Sequence, residues 1–227
     1  MTAARYAVYW TPEPDHPLWH AGCEWLGRDP AWPVLKWPAH ETTAAPRHYG
    51  FHATLKAPMV LHPDRDATSL VDAVAALAAH TRRFMMPALQ LAWLARFLAL
   101  RPTHHLLPEH PLRQLADRCV RELDPWRAPT SESELQRRLA DPTLVATQRE
   151  AITRWGYPHV FDHWRFHMTL SDSLADDDRR RDALWHDAQR HFAPALAGPL
   201  AFASLCIFAE PAPGAAFVLT HRFKLAP

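Results

Sequence analysis

Apolar and polar residues alternate one by one in two short stretches of the chain, residues 51–56 and 165–171. In each stretch the apolar set includes a phenylalanine and a leucine, and the polar set includes a histidine, a threonine and a cationic residue. Successive strand residues point to opposite faces, so this alternation predicts two strands, each with one apolar face against a core. In a helix, residues two apart diverge by roughly 200°, which would scatter both sets.

Elsewhere the chain shows periodic apolar residues separated by proline-rich breaks, which predicts further helices and strands. The predicted helices cover residues 16–26, 66–83, 108–123 and 176–192, with two short helices inside residues 131–155. The predicted strands cover residues 6–10, 51–60, 89–100, 164–171, 200–208 and 216–223, and residues 28–46 are predicted as loop. Both halves of the chain thus repeat the order helix, motif strand, helix, strand.

The two alternating stretches contain the same short motif, Phe-His-x-Thr-Leu. Its histidines, His52 and His167, are separated by about half of the 227 residues. One copy is expected by chance in a chain with 16 histidines, but two copies that share their flanking residues indicate a duplication. We therefore predict a single bilobal domain spanning the whole chain, with similar lobes at about residues 1–105 and 106–227.

Two histidines that face a common cleft suit in-line attack on phosphorus, because one can accept a proton from the attacking water while the other protonates the leaving oxygen. The ordinary pKa of imidazole, about 6.5, makes both protonation states available near neutrality and predicts a bell-shaped pH dependence. Threonine hydroxyls can donate to the non-bridging oxygens, and cations can balance their charge. The predicted site consists of the catalytic pair His52 and His167 and the phosphate-binding residues Thr54, Thr169, Lys56 and Arg165.

Composition narrows the class of protein. Hydrophobic residues make up 48% and charged residues 22% of the chain, as in globular proteins, and the net charge of +1 predicts no broad surface for polyanions. With 6 glycines against 22 prolines, neither a Walker nor a dinucleotide-binding fingerprint is present. No apolar run reaches the length of a membrane span, residues 1–5 do not resemble a signal peptide, and the three cysteines lie far apart. We expect a cytoplasmic protein without membrane contact.

Longer strings around both motifs carry a family resemblance. They are Arg-His-Tyr-Gly-Phe-His-Ala-Thr-Leu-Lys-Ala-Pro at residues 47–58 and Phe-Asp-His-Trp-Arg-Phe-His-Met-Thr-Leu at residues 161–170. They resemble the 2H phosphoesterase superfamily, which includes bacterial 2′-5′ RNA ligase-like proteins and cyclic phosphodiesterases. Together with residues 25–29 and 208–214, they are similar to a branch often encoded in bacterial phosphonate-utilisation operons, and the likeness covers nearly the whole chain.

This resemblance implies an α+β fold of two similar lobes, with antiparallel sheets related by a pseudo-twofold axis around a central cleft. It implies His52 and His167 as catalytic residues, with Thr54 and Thr169 as phosphate ligands. It also implies a small phosphorylated substrate, for which ribosyl and nucleotide cyclic phosphates are natural candidates. No cofactor and no metal are expected, and the near-neutral charge without a basic-aromatic strip argues against long nucleic acid.

Three other functions fit parts of the sequence. A metal-dependent hydrolase is suggested by His104 with His105 and by His159 with His163, although no H-E-x-x-H, carboxylate-rich or paired-cysteine pattern accompanies them. A binding module would hold a phosphorylated ligand in the same cleft without turnover, and an RNA-end processing enzyme would use the same histidines. The sequence leaves open which histidine is the base, where the product keeps its phosphate, the oligomeric state, and the role of residues 128–155, interpreted as a helical insertion.

Overall fold

The computed structural model describes residues 5–176 and 178–227, and within them a seven-stranded antiparallel sheet forms the centre of the fold. The strands are β1 (Arg5–Trp10), β2 (Ala53–Val60), β3 (Phe84–Met85), β4 (Leu89–Leu94), β5 (Phe97–Pro102), β6 (Met168–Thr169), β7 (Ala201–Phe202), β8 (Ser204–Glu210) and β9 (Val218–Lys224). The large sheet has the order β4-β5-β6-β2-β1-β8-β9, and β3 pairs with β7. The predicted α+β fold with antiparallel sheets is confirmed.

Helices pack on this sheet and on one another. They are α1 (Pro17–Leu26), α2 (Ala44–Tyr49), α3 (Ala67–Ala79), α4 (Pro111–Glu122), α5 (Glu132–Leu139), α6 (Ala146–Trp155) and α7 (Arg180–Leu196). Helix α1 begins after His16, whose ring accepts a hydrogen bond from the Leu18 amide at 3.0 Å, and α3 begins at a capping box of Asp66 and Ser69. Helix α1 contacts α7, and α4 contacts β2. No helix in the described part of the chain is long and apolar enough to cross a membrane.

The two motif strands, β2 and β6, are antiparallel neighbours in the middle of the large sheet. Their apolar face packs into the main core, which confirms the predicted alternation. The buried residues are Phe51, Ala53 and Leu55 in the first motif and Phe166, Met168 and Leu170 in the second. Two indoles anchor the motif backbones: Trp25 donates to the carbonyl of Leu170 at 2.8 Å, and Trp164 donates to the carbonyl of Thr54 at 2.9 Å.

Helix α1 approaches the first motif so closely that its position 22 requires glycine. A Cβ atom on Gly22 would lie 2.1 Å from Cδ1 of Phe51, whose side chain is fully buried. This separation is far below van der Waals contact in a close-packed interior. Gly22 therefore lets α1 fix the position of Phe51, the residue that precedes His52.

Strands β4 and β5 form a hairpin where the sequence predicted one strand over residues 89–100. The turn contains Ala95, at a φ of 51°, and Arg96, and Leu94 pairs with Phe97. The prediction was wrong because both limbs are largely apolar and the turn contains neither glycine nor proline, so the pattern shows no break.

The second motif strand is shorter than the predicted residues 164–171, because ladder pairing is confined to Met168–Thr169. The carbonyl of Trp164 accepts a hydrogen bond from the Arg165 side chain, and the carbonyl of Arg165 accepts one from His167. Side chains therefore satisfy these backbone groups in place of a neighbouring strand.

Other boundaries differ by smaller amounts. The predicted loop at residues 28–46 contains the start of α2, and β3 was not predicted. Helix α3 ends at Ala79 instead of residue 83, and α7 begins at Arg180 and continues to Leu196. Capping and tertiary contacts decide such ends, and neither is visible in the periodicity of the sequence.

Strands from the two halves of the chain share the large sheet. Strand β6, from the second half, lies between β5 and β2, and β8 lies beside β1. The boundary between the lobes at residues 1–105 and 106–227 stays a prediction. The region interpreted as an insertion, residues 128–155, contains α5 and α6, which are the two short helices that the sequence predicted.

Candidate functional site

The structure places each motif histidine close to the threonine of the other motif. Ala53 and Met168, the middle residues of the two His-x-Thr motifs, face each other across β2 and β6. In an antiparallel pair, the residues on either side then put each histidine opposite the other motif's threonine, on the face away from the core. His52 and His167 become diagonal neighbours, whose Cα atoms typically lie about 7–8 Å apart. Four predicted site residues thus share one patch of the sheet.

Each imidazole makes a hydrogen bond of the same kind, from Nδ1 to a backbone carbonyl two residues earlier in the chain. Nδ1 of His52 lies 2.8 Å from the carbonyl oxygen of Gly50, and Nδ1 of His167 lies 2.9 Å from the carbonyl oxygen of Arg165. A carbonyl can only accept, so Nδ1 carries the proton in both neutral rings and Nε2 is left as the basic atom. In the first motif, Nε2 lies 3.3 Å from Oγ1 of Thr54.

The surroundings of both rings favour the uncharged imidazole. The pKa of His52 is lowered to about 4, chiefly by burial, and the positive charges of His167 and Arg28 act in the same direction. Burial also lowers the pKa of His167, with added contributions from His159 and Arg101, while the carbonyl hydrogen bond acts in the opposite direction in both rings. Both imidazoles therefore lose their proton more readily than a fully solvated imidazole does.

Aromatic side chains restrain the two rings. The ring of His52 stacks on that of Tyr9 at a centroid distance of 3.8 Å, and Tyr9 is buried. The ring of Phe97 lies 5.7 Å from that of His167. Such packing fixes ring orientation, which proton transfer in a defined direction requires.

Lys56 is oriented differently from the sequence prediction. Its Nζ donates to the carbonyl of Val120 at 3.0 Å and to Oδ1 of Asp124 at 2.9 Å, and the residue is only 3% exposed. Asp124 also pairs with Arg127. Lys56 lies on the predicted strand face, but α4 covers that end of the face and binds the ammonium group. The structure gives Lys56 an ion pair inside the fold, and we leave it out of the phosphate-binding set.

Arg165 and the two threonines remain near the histidines. Arg165 is exposed, and its Nη1 donates to the carbonyls of Asp162 at 2.6 Å and Trp164 at 2.7 Å. Thr54 and Thr169 are half-buried. The guanidinium has further N–H groups available beyond those two bonds.

A cleft of about 570 Å³, which we call the histidine cleft, opens over the second motif. Its walls are formed by Thr54, Leu94, Ala95, Phe97, Tyr157, His159, His163, Trp164, Arg165 and His167. The β4–β5 turn supplies one wall, and the segment after α6 supplies another. His52 and Thr169 are not among these wall residues; they lie beside the cleft on the same sheet face.

Tyr157 and His159 belong to this site although the sequence did not single them out for it. Helix α6 ends at Gly156, which adopts a φ of 72°, and this left-handed residue redirects the chain toward the cleft. Burial raises the pKa of Tyr157. The sequence suggested His159 only as a metal ligand. The one sequence signal near these two residues is Gly156, which ends α6 directly before Tyr157.

Arg101 is a third residue that the sequence did not single out for this site. In the pairing of β5 with β6, Ala99 faces Thr169 and Leu100 faces Met168, so the next position puts Arg101 across from His167 on the same face. Its influence on the pKa of His167 agrees with this placement. No sequence pattern revealed which strand would lie beside the second motif.

Within the described residues, no group of three or more His, Cys, Asp or Glu side chains is placed to hold a metal ion. His159 and His163 line the histidine cleft, whereas His104 and His105 line a different cavity. The two histidine pairs that suggested a metal-dependent hydrolase are therefore separate.

Two curated relatives align with nearly all of the chain. One, from Janthinobacterium sp. (strain Marseille), is 39% identical over 236 residues, covering 98% of this chain and 51% of the relative. The other, from Laribacter hongkongensis (strain HLHK9), is 37% identical over 225 residues, covering 95% and 50%. Both are named ribose 1,5-bisphosphate phosphokinase PhnN. The chain spans about half the length of these relatives.

Similar solved structures include Escherichia coli LigT complexed with 3′-AMP, with a TM-score of 0.42 and 15% identity, and LigT complexed with NADP+, with a TM-score of 0.45 and 15% identity. A structure described as a phosphoesterase has a TM-score of 0.46 and 14% identity. Each alignment covers 100% of both chains. Likeness at these TM-scores carries no argument about activity.

A family model described as "Protein of unknown function (DUF1045)" matches residues 54–218. The matched range contains Thr54, His167 and Thr169 and begins two residues after His52. It covers well over half of the chain. The chain therefore belongs to the DUF1045 family.

Proposed function

We propose that this protein is a metal-independent phosphodiesterase that hydrolyses a small cyclic phosphodiester by two-histidine acid–base catalysis. The observation that carries the proposal is the matched pair of imidazoles, each held through Nδ1 and each beside a threonine hydroxyl. Imidazoles, hydroxyls and a guanidinium supply proton transfer and charge stabilisation without a Lewis acid.

The reaction adds water across one phosphate ester bond. Nε2 of His52 accepts a proton from the water, whose oxygen bonds to phosphorus opposite the leaving oxygen. The phosphorus–oxygen ester bond breaks, and protonated His167 gives its Nε2 proton to the leaving oxygen. His52 suits the base role because a pKa of about 4 keeps it neutral at neutral pH. Thr54 and Thr169 donate to the non-bridging oxygens.

Ribosyl phosphates are the substrate class that the relatives favour. Their name contains ribose 1,5-bisphosphate, and opening of a ribose 1,2-cyclic phosphate at oxygen 2 produces a ribose 1-phosphate. This chain matches only half of each relative and carries no Walker fingerprint, so we assign the named phosphokinase activity to the half that it does not match. The two halves would then act on related sugar phosphates.

A product-resolved screen tests the proposal. The purified chain would be incubated with ribose 1,2-cyclic phosphate and 2′,3′-cyclic nucleotides, and the products identified by phosphorus NMR. We expect ring opening to one phosphomonoester, strongly reduced in His167→Ala and unchanged in His186→Ala, an exposed histidine on α7. Absence of hydrolysis across the panel, or equal hydrolysis by the His167 variant, would reject it.

A further inference from the structure

A second cavity, of about 200 Å³, adjoins the histidine cleft. Three arginines line it, Arg101 from β5, Arg113 from α4 and Arg165 from the second motif. Trp164 and Arg165 line both spaces, so the two cavities share a wall. We call these three side chains the arginine cluster.

The cluster carries more positive charge than its ion pairs neutralise. Arg113 is 7% exposed and pairs with Asp162 at 3.2 Å. Among the residues that the structure describes, Arg101 and Arg165 form no ion pair with a carboxylate. Guanidinium groups without a carboxylate partner are suited to bind an anion with two or more oxygens.

Arg101 supplies a second observation. Its Nε is buried and has no hydrogen-bond partner within the described part of the chain. An unpaired buried donor costs free energy, so such atoms are rare in folded proteins unless a ligand or water satisfies them. The geometry of the cavity makes an anion the natural partner.

The arginine cluster lies next to the histidine of the second motif. Arg101 lies across from His167 in the β5–β6 pairing, and Arg165 precedes His167 by two residues. Directly opposed side chains on neighbouring strands begin about 4.5–5.5 Å apart at Cβ. Both places are therefore within reach of one small ligand.

We infer that the arginine cluster binds a second, terminal phosphate of the substrate, so that the protein acts on a phosphodiester that also carries a phosphomonoester. This inference rests on the proposed function and narrows its substrate class. Arg101 holds the terminal phosphate while the histidines act on the diester, and Arg165 lies on the wall that the two cavities share. The product then carries two phosphomonoesters.

Paired substrates test this inference. Kinetics would be measured on ribose 1,2-cyclic phosphate with and without a 5-phosphate, in the unaltered protein, Arg101→Gln, Arg101→Lys and the control Arg190→Gln, which removes an exposed charge on α7. We expect the 5-phosphate to raise kcat/KM by roughly 10- to 100-fold, as charged hydrogen bonds allow. Arg101→Gln should abolish this preference, Arg101→Lys should restore part of it, and Arg190→Gln should keep it.

Binding separates failure of the inference from failure of the proposed function. If neither substrate is hydrolysed, the proposed function fails, and calorimetric titration with ribose 5-phosphate and with ribose still tests the cluster. Binding of ribose 5-phosphate alone, lost in Arg101→Gln, supports the terminal-phosphate subsite. Equal hydrolysis of both substrates, or equal binding of both sugars, overturns it.

Discussion

At the scale of single residues, each motif imidazole has one ring nitrogen held by the backbone. The carbonyls of Gly50 and Arg165 hold Nδ1, so Nε2 of each ring is the nitrogen left to accept or donate a proton in the proposed reaction. Burial makes both rings poor at holding a positive charge. A bound phosphodiester anion would oppose that preference in the ring that acts as acid, because a nearby negative charge favours the protonated form.

The pH dependence follows from these shifts. His52 must be neutral, so kcat/KM should rise as pH increases through its pKa of about 4. His167 must be protonated, and its lowered pKa means that kcat/KM falls at a pH below the ordinary value of about 6.5. We expect a bell-shaped kcat/KM profile with an acidic optimum, and a kcat profile displaced toward higher pH. A kcat/KM optimum above pH 7.5, determined on the best substrate, would be inconsistent with these buried rings.

Lys56 should contribute to stability and not to substrate binding. Lys56→Met removes the ammonium that binds Val120 and Asp124 and leaves Asp124 paired with Arg127. We expect a loss of roughly 1–3 kcal/mol in the free energy of unfolding, because the buried Val120 carbonyl loses its partner. Urea unfolding and steady-state kinetics on the same preparation measure both effects. A tenfold rise in KM without loss of stability would return Lys56 to the phosphate-binding set.

At the scale of elements, the packing of α1 against Phe51, just before β2, fixes the position of the first histidine motif. Gly22→Ala should destabilise the protein by about 1–3 kcal/mol through overpacking against Phe51, although alanine favours a helix by about 1 kcal/mol. Gly198→Ala is the matched control, because nothing lies within 4 Å of the added methyl group. The urea midpoints of both variants give the comparison. Equal midpoints would show that the packing of α1 against Phe51 is looser than described.

Alternation in the sequence was enough to identify the two motif strands and the face on which their histidines lie. The two-residue repeat of a strand depends only on neighbouring residues, so it can be read from the sequence. The burial of Phe51 and Met168 agrees with it. Register between distant strands is not local, so the placement of Arg101 across from His167 could not be read in advance. The same limit applied to Lys56, whose face was predicted but whose covering helix was not.

At the scale of the whole molecule, the central sheet joins the two halves of the chain. Adjacent placement of β2 and β6 turns a repeated motif into one site. The segment after α6 adds Tyr157 and His159 as a wall of the cleft, and this segment directly follows the predicted insertion. Chains similar to this one form about half the length of the two longer relatives.

Exhaustive chelation should leave activity intact. The proposed site offers imidazoles, hydroxyls and a guanidinium, and a cation beside Arg101 and Arg165 would be repelled. Turnover of the chelated protein should match that of the untreated protein within twofold. Loss of turnover on chelation, followed by recovery with zinc or manganese, would favour the metal-dependent hydrolase.

The central claim is that His52 and His167 act together on one phosphate. The most direct measurement is the turnover number of His52→Ala, His167→Ala and the double variant on the same cyclic phosphodiester. Each single variant should lose roughly 10²–10⁴-fold, and the double variant should be little worse, because groups that act as a unit are not additive. Near-normal turnover in either single variant, with the fold intact by circular dichroism, would contradict it.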